Sequence, residues 1–159
     1  MTYGVNDNLD VAIGIPYRDM RIKEAGESMS AKGIADIPLY AKWRFYENDG
    51  LSFALKPGIT LPAGDVEKEL GTGKITFSIF LINTKEVKPW AFHLNLGYIR
   101  NDNKVDDIKD LWHASLVTEF EAAKGLRLVI NGGIEHTREQ DSNIDSVFLL
   151  GGLIDLFDN

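Results

Sequence analysis

The chain of 159 residues contains no cysteine. Disulfides, thiol nucleophiles, cysteine-ligated zinc and iron–sulfur clusters are therefore excluded. Histidine is scarce, with three residues, which leaves little material for a metal centre. No apolar run reaches the roughly 18 residues that a membrane-crossing helix needs. Positive charge is short as well: 17 Lys and Arg face 24 Asp and Glu, a net charge of −7. With no basic cluster, the chain lacks the surface on which nucleic-acid affinity rests. An export leader is also missing, since Met1-Thr2-Tyr3-Gly4 runs straight into Asn6-Asp7-Asn8. A chain destined for export would on this reading be trimmed or partial. What remains is 44% hydrophobic and 26% charged, too apolar for disorder and of a length for one domain, 1–159.

Helical periodicity is weak throughout; period two recurs instead. From Ala35 to Tyr46 the odd positions are Ala35, Ile37, Leu39, Ala41, Trp43 and Phe45, and the even ones Asp36, Pro38, Tyr40, Lys42, Arg44 and Tyr46. Leu51, Phe53, Leu55, Ile59 and Leu61 alternate with Ser52, Ala54, Lys56, Gly58 and Thr60. Ile75, Phe77, Ile79 and Leu81 alternate with Lys74, Thr76 and Ser78, while Phe80 and Ile82 blur the pattern. Later strands place Trp90, Phe92, Leu94, Leu96 and Tyr98 against His93 and Asn95, then Trp112, Leu116 and Phe120 against His113, Ser115 and Glu119. Leu126, Leu128, Ile130 and Ile134 oppose Arg127, Asn131 and Glu135. With Met1 to Val5, Leu9 to Ile15 and Ser146 to Ile154, the sequence predicts about nine strands. Each has one apolar and one polar face.

The connections alternate in length. Tight turns fall at residues 6–8, 48–50, 84–87 and 122–125; longer polar loops are expected at 16–33, 62–73, 101–109 and 138–143. An antiparallel up-and-down meander then carries its short turns at one end and its long loops at the other, as transmembrane β-barrels do. Aromatic positions decide which face is outside. Phe45, Phe53, Trp90, Phe92 and Phe120 lie on the apolar face within a few residues of a tight turn, Tyr98 and Trp112 lie on it near a long loop, and Trp43 belongs to the same set of interface aromatics. Rings gathered at strand ends around an aliphatic band read as interfacial girdles against a lipid bilayer. The polar set would then line the lumen: Asp36, Lys42, Arg44, Lys56, Thr60, Lys74, Thr76, Ser78, His93, Asn95, His113, Ser115, Glu119, Arg127, Asn131 and Glu135. Turned the other way round, the same alternation describes a soluble lipocalin-like barrel with Trp43, Phe53 and Trp90 around a ligand cavity. A lumen plugged by its own side chains, in a structural or adhesive barrel, is a further alternative.

Several stretches resemble one family. Tyr3-Gly4-Val5-Asn6-Asp7-Asn8 through Ile15-Pro16-Tyr17 is similar to its opening, and Gly33-Ile34-Ala35-Asp36 with Tyr40-Ala41-Lys42-Trp43-Arg44-Phe45 to its approach to a long strand. Leu61-Pro62-Ala63-Gly64-Asp65 followed by Leu70-Gly71-Thr72-Gly73 resembles its most distinctive loop, and His93-Leu94-Asn95-Leu96-Gly97-Tyr98 its H-x-N-x-G-Y strand. The family is that of outer-membrane transporters named for the MetA pathway of phenol degradation, and the resemblance runs from Tyr3 to Leu156. It implies a Gram-negative outer-membrane β-barrel of about twelve strands, of which about nine are present here, passing small, aromatic or hydrophobic compounds. No catalytic residues carry over, and no enzymatic activity or cofactor is expected.

Other constellations carry less. His93 and His113, with Glu119 or Glu135, lack the spacing of a metal motif. The acidic loop of Asp102, Asp106, Asp107 and Asp110 lacks the central glycine and closing glutamate of a calcium loop. Gly71-Thr72-Gly73-Lys74 lacks the full phosphate-loop spacing. His113, Ser115 and Glu119 on one strand face do not supply triad geometry.

Overall fold

In the computed structural model, residues 1–24, 27–136 and 145–154 are described. They form eleven strands: β1 (Thr2–Asn6), β2 (Leu9–Ile13), β3 (Tyr17–Glu24), β4 (Glu27–Ile34), β5 (Ile37–Asn48), β6 (Leu51–Leu61), β7 (Thr76–Val87), β8 (Trp90–Arg100), β9 (Asp110–Ala123), β10 (Leu126–Glu135) and β11 (Asp145–Ile154). Nine of them make one antiparallel sheet in the order β1-β2-β5-β6-β7-β8-β9-β10-β11, an up-and-down meander. Among the described residues each strand packs only against its hydrogen-bonded neighbours. Among the described residues no second sheet packs on either face, which separates this architecture from a sandwich.

The departures from the sequence-based expectation have local causes. Residues 16–33 were expected as an open loop, yet β3 and β4 pair there as a separate two-stranded hairpin. In sequence the stretch Arg18-Asp19-Met20-Arg21-Ile22-Lys23-Glu24 is mostly charged and has only two apolar residues, so period two has little to reveal. The expected turn at 84–87 belongs to β7, which runs on to Val87; the chain reverses at Lys88-Pro89, where the peptide is cis. In β5 the register slips between Arg44 and Tyr46, a β-bulge that sets Tyr46 opposite Phe53. Tyr46 therefore leaves the polar phase of the strand, and its ring lies 5.9 Å from that of Phe53. The expected loop at 138–143 lies outside the described residues.

Buried side chains concentrate at the long-loop end. Ala35, Leu70, Thr72, Thr76, Asn101, Asn103 and Leu111 are all below a tenth exposed. Two connections fold over that end. Residues 62–75 join β6 to β7, and residues 101–109 join β8 to β9. The Asp36 carboxylate accepts hydrogen bonds from the Gly64 amide at 3.0 Å, the Thr72 amide at 2.7 Å and the Thr72 hydroxyl at 2.9 Å. Asn103 Nδ2 donates to the Asn101 and Asp107 carbonyls at 2.8 and 3.0 Å, while Asn103 Oδ1 accepts from the Asp107 amide. The Lys104 amide donates to the Thr72 carbonyl at 2.9 Å and joins the two loops. Polar groups buried in irregular backbone need such partners, and side chains supply them where no ladder can.

The apolar face is exposed along the whole sheet. Trp43 is 53% accessible, Phe77 53%, Trp90 45%, Leu96 45%, Leu116 47% and Ile130 47%. A face of this extent has no cover among the described residues, and it far exceeds what a water-soluble monomer leaves open. The described residues contain no helix long and apolar enough to cross a membrane.

Candidate functional site

The polar face carries the chemistry. Because antiparallel partners share a face, the registers define rows of side chains across the sheet. One row runs Asp10, Lys42 on β5, Lys56 on β6, Phe80, Gly97, His113 and Glu135. Lys42 and Lys56 face each other within an unbroken register, between the pairs Tyr40–Gly58 and Trp43–Leu55. The row one step nearer the long loops contains Tyr40, Gly58 and Ser78.

Aromatic rings lie over glycines in both rows. A Cβ on Gly58 would meet the Tyr40 ring at 2.5 Å, and one on Gly97 would meet the Phe80 ring at 2.3 Å. Only hydrogen at those positions lets the rings lie down on the neighbouring strand. Phe80 thereby reaches across β8 to His113 on β9, with ring centroids 5.9 Å apart. The Lys56 ammonium sits over both rings, 4.7 Å from the centroid of Tyr40 and 5.4 Å from that of Phe80. An ammonium above an aromatic face is held by the ring quadrupole.

His113 closes this row, with Nδ1 3.3 Å from Glu135 Oε2 and Nε2 2.9 Å from the Ser115 hydroxyl. Nearer the short turns a second chain runs over four strands. The Thr84 hydroxyl meets His93 Nδ1 at 2.9 Å, His93 Nε2 stands 3.6 Å from Glu119 Oε1, and Arg127 donates to Glu119 Oε2 at 2.9 Å. Opposite charges meeting across strands in this way offset their own desolvation.

Among the described residues, clefts open on this face. One of about 700 Å³ lies at the long-loop end, bounded by Asp36, Tyr40, Thr60, Glu69, Thr72 and Asp107. Another of about 280 Å³ lies toward the short turns, beside Asp10, Lys42, Arg44, Ile82, Thr84 and His93. The third, of about 230 Å³, is bounded by Lys88, His93, Glu119 and Arg127. Lys56 and Phe80 stand at the level between the first two.

Most of the residues read from the sequence as one polar lining do share this face: Lys42, Arg44, Lys56, His93, Asn95, His113, Glu119, Arg127, Asn131 and Glu135. Two do not stand in the sheet. Asp36 precedes β5 and is spent on the 62–75 loop, and exposed Lys74 precedes β7 with only its carbonyl engaged, by Thr72 Oγ1. Arg44 is committed to the rim, donating to the Asp7 carbonyl at 2.8 Å and pairing with Glu47 at 2.9 Å. The two histidines serve different partners, and no group of three or more His, Asp or Glu is placed to hold a metal among the described residues. Sequence reasoning missed Tyr40, Phe80, Gly58, Gly97 and Asp10. The signal available for Phe80 was its position on the polar phase of β7, which broke the alternation.

Outside the strands, the Asp65 carboxyl is held below the usual aspartate range by the hydrogen bond from Lys68, and Lys68 is raised by the same contact.

On the opposite face the rings gather as bands. Trp43, Phe45, Tyr46 and Phe53 contact in series, and Trp90 touches Phe92 and Phe120, all toward the short turns. Toward the long loops Trp112 stacks on His136, and its register partner is Tyr98.

No curated protein matches the chain. A family model does match it, over residues 1–159, and that family is described as "Putative MetA-pathway of phenol degradation". The match spans the whole length, so the chain belongs to this family.

Proposed function

We propose that the chain forms the wall of an outer-membrane β-barrel that passes small molecules, with no catalysis of its own. The exposed apolar face, banded by aromatic rings and backed by a face of charged and hydroxyl side chains, carries this reading. Such a sheet is stable only when lipid covers one face and water or a filled interior meets the other. Strands β5 to β10, of 10 to 14 residues, have the length that a tilted membrane strand needs. The family's description links it to phenol degradation, which supports an aromatic or hydrophobic cargo. The partner on this reading is a bilayer, and no nucleic acid is involved.

The direct test is to dilute the urea-unfolded chain into buffer with and without detergent micelles. A β-sheet circular dichroism spectrum and blue-shifted Trp43, Trp90 and Trp112 emission are expected with micelles only. Cooperative folding in plain buffer would make the apolar face a protein core and remove the membrane reading. In bilayers, replacing Lys42, Arg44 and Lys56 together by glutamine is expected to shift ion selectivity toward cations. Unchanged selectivity would mean that these side chains lie off the conducting path.

A second reading is a barrel closed by its own loops. The two connections joined through Asp36, Thr72 and Lys104 cover the long-loop end and favour it. Releasing them separates the two: conductance rises in Asp36→Ala if the loops occlude the mouth, and stays level if the mouth is already open.

A further inference from the structure

We infer that Lys42 and Lys56, with the rings of Tyr40 and Phe80, form a binding subsite for small aromatic carboxylates on the polar face. The inference rests on the reading of that face as the lining of a passage, and it adds the chemical class that the passage holds.

Two lysines in register on adjacent strands repel one another, and such a pair is unfavourable without an anion between or above it. No carboxylate among the described residues lies within 4 Å of either ammonium, although Asp10 is the register partner of Lys42. The remaining acid of the row, Glu135, faces His113 instead. Among the described residues the Lys56 ammonium sits against the pair of rings, at 4.7 and 5.4 Å from their centroids. This leaves the Lys56 ammonium without an ion-pair partner among the described residues, next to Lys42, whose neighbour on the same face is Asp10; Lys42 lines the cleft toward the short turns and Tyr40 the cleft at the long-loop end.

The rings select what kind of anion belongs there. Tyr40 and Phe80 lie close against Gly58 and Gly97, with the Lys56 ammonium over both rings, so aromatic surface borders the lysine pair. A carboxylate can take the charge-assisted hydrogen bonds of one or both ammoniums. An aryl group attached to it then packs against Phe80 or Tyr40 beside the ammonium that lies over those rings. A neutral phenol gains only the stacking, an aliphatic acid only the charge, and an aryl ammonium is repelled. The ordering benzoate, then acetate and phenol, then benzylamine follows from these contacts alone.

The test uses the full chain refolded in detergent micelles and titrated calorimetrically with sodium benzoate, sodium acetate, phenol and benzylamine. Benzoate is expected to bind most tightly. Lys56→Met is expected to weaken it by about tenfold or more, the scale of one charge-assisted bond, and Phe80→Leu by about threefold to tenfold. Lys56→Arg keeps the charge and restores most of the affinity, which separates loss of the anion site from loss of folding. Equal binding of benzoate and benzylamine, or benzoate binding that survives Lys42→Met and Lys56→Met together, overturns the subsite. Potassium chloride conductance of the same preparation is read in parallel. A conducting protein that ignores benzoate overturns the subsite and leaves the passage standing. Benzoate binding with no conductance supports the subsite and removes the passage.

Discussion

Asp36→Ala is expected to unfasten the cover at the long-loop end while leaving the sheet in place. The carboxylate accepts three hydrogen bonds from Gly64 and Thr72, two of them under 3 Å. Bonds to a charged acceptor contribute about 1.5–3 kcal/mol each, though not additively. Thr72 is buried, so its amide cannot simply turn to water when the acceptor is lost, whereas its hydroxyl keeps the Lys74 carbonyl as an acceptor. A local loss of about 3 kcal/mol is the expectation, which corresponds to roughly a hundredfold faster exchange of the Thr72 and Gly64 amide protons. Amide protons in the middle of β7 and β8, held by ladder bonds, should keep their protection. Hydrogen exchange followed by mass spectrometry in micelles reads both. Asp36→Asn keeps an acceptor oxygen without the charge and should fall between the two. Unchanged exchange at Thr72 would mean that the loop is held by its own packing, through Leu70 and the Lys104 contact, and not by the carboxylate.

Gly97→Val is expected to cost about 2–4 kcal/mol, the sum of an overpacked contact and lost ring interactions. A Cβ there would stand 2.3 Å from a Phe80 ring carbon, so the ring must rise off β8. Once raised, it loses His113 on one side and the Lys56 ammonium on the other. The strain lies between two side chains, so shrinking one should relieve it. Phe80→Ala is destabilising by itself, but in the Gly97→Val background its added effect should be smaller by about 1 kcal/mol or more, a coupling typical of touching residues. Urea unfolding in micelles of the wild type, the two single variants and the double variant closes the cycle. Strict additivity would show that Phe80 does not rest on Gly97 in the folded protein.

The faces of the sheet were legible because period two survives any register. Trp43, Phe53, Trp90, Leu96 and Trp112 read as one phase, and they stand together on the exposed face. Three kinds of feature were not legible. A bulge changes phase without changing composition, so Tyr46 looked like a polar-face residue. A ring on the polar phase looks like noise until its neighbour is known to be glycine; Phe80 and Gly97 are 17 positions apart, and only the β7–β8 register joins them. The role of Asp36 depends on a loop that starts 26 residues later, and no local pattern distinguishes a carboxylate facing an open interior from one folded into backbone amides. Lys74 was misread for a related reason: alternation was extended two residues past the point where the strand begins.

The order of strands bears on how the molecule is put together. Every ladder of the nine-stranded sheet joins neighbours in the chain except β2 with β5, and there only the β3–β4 hairpin intervenes. Loop closure is therefore inexpensive at each step, and assembly can advance one hairpin at a time from any starting pair. At every stage the unfinished ribbon presents an unpaired edge and one bare apolar side to whatever surrounds it. A lipid surface favours continued winding of the same chain, whereas a crowded aqueous solution offers the edges of other chains. On the membrane reading, the competition between those two neighbours sets how much of the newly made chain reaches a finished sheet and how much aggregates.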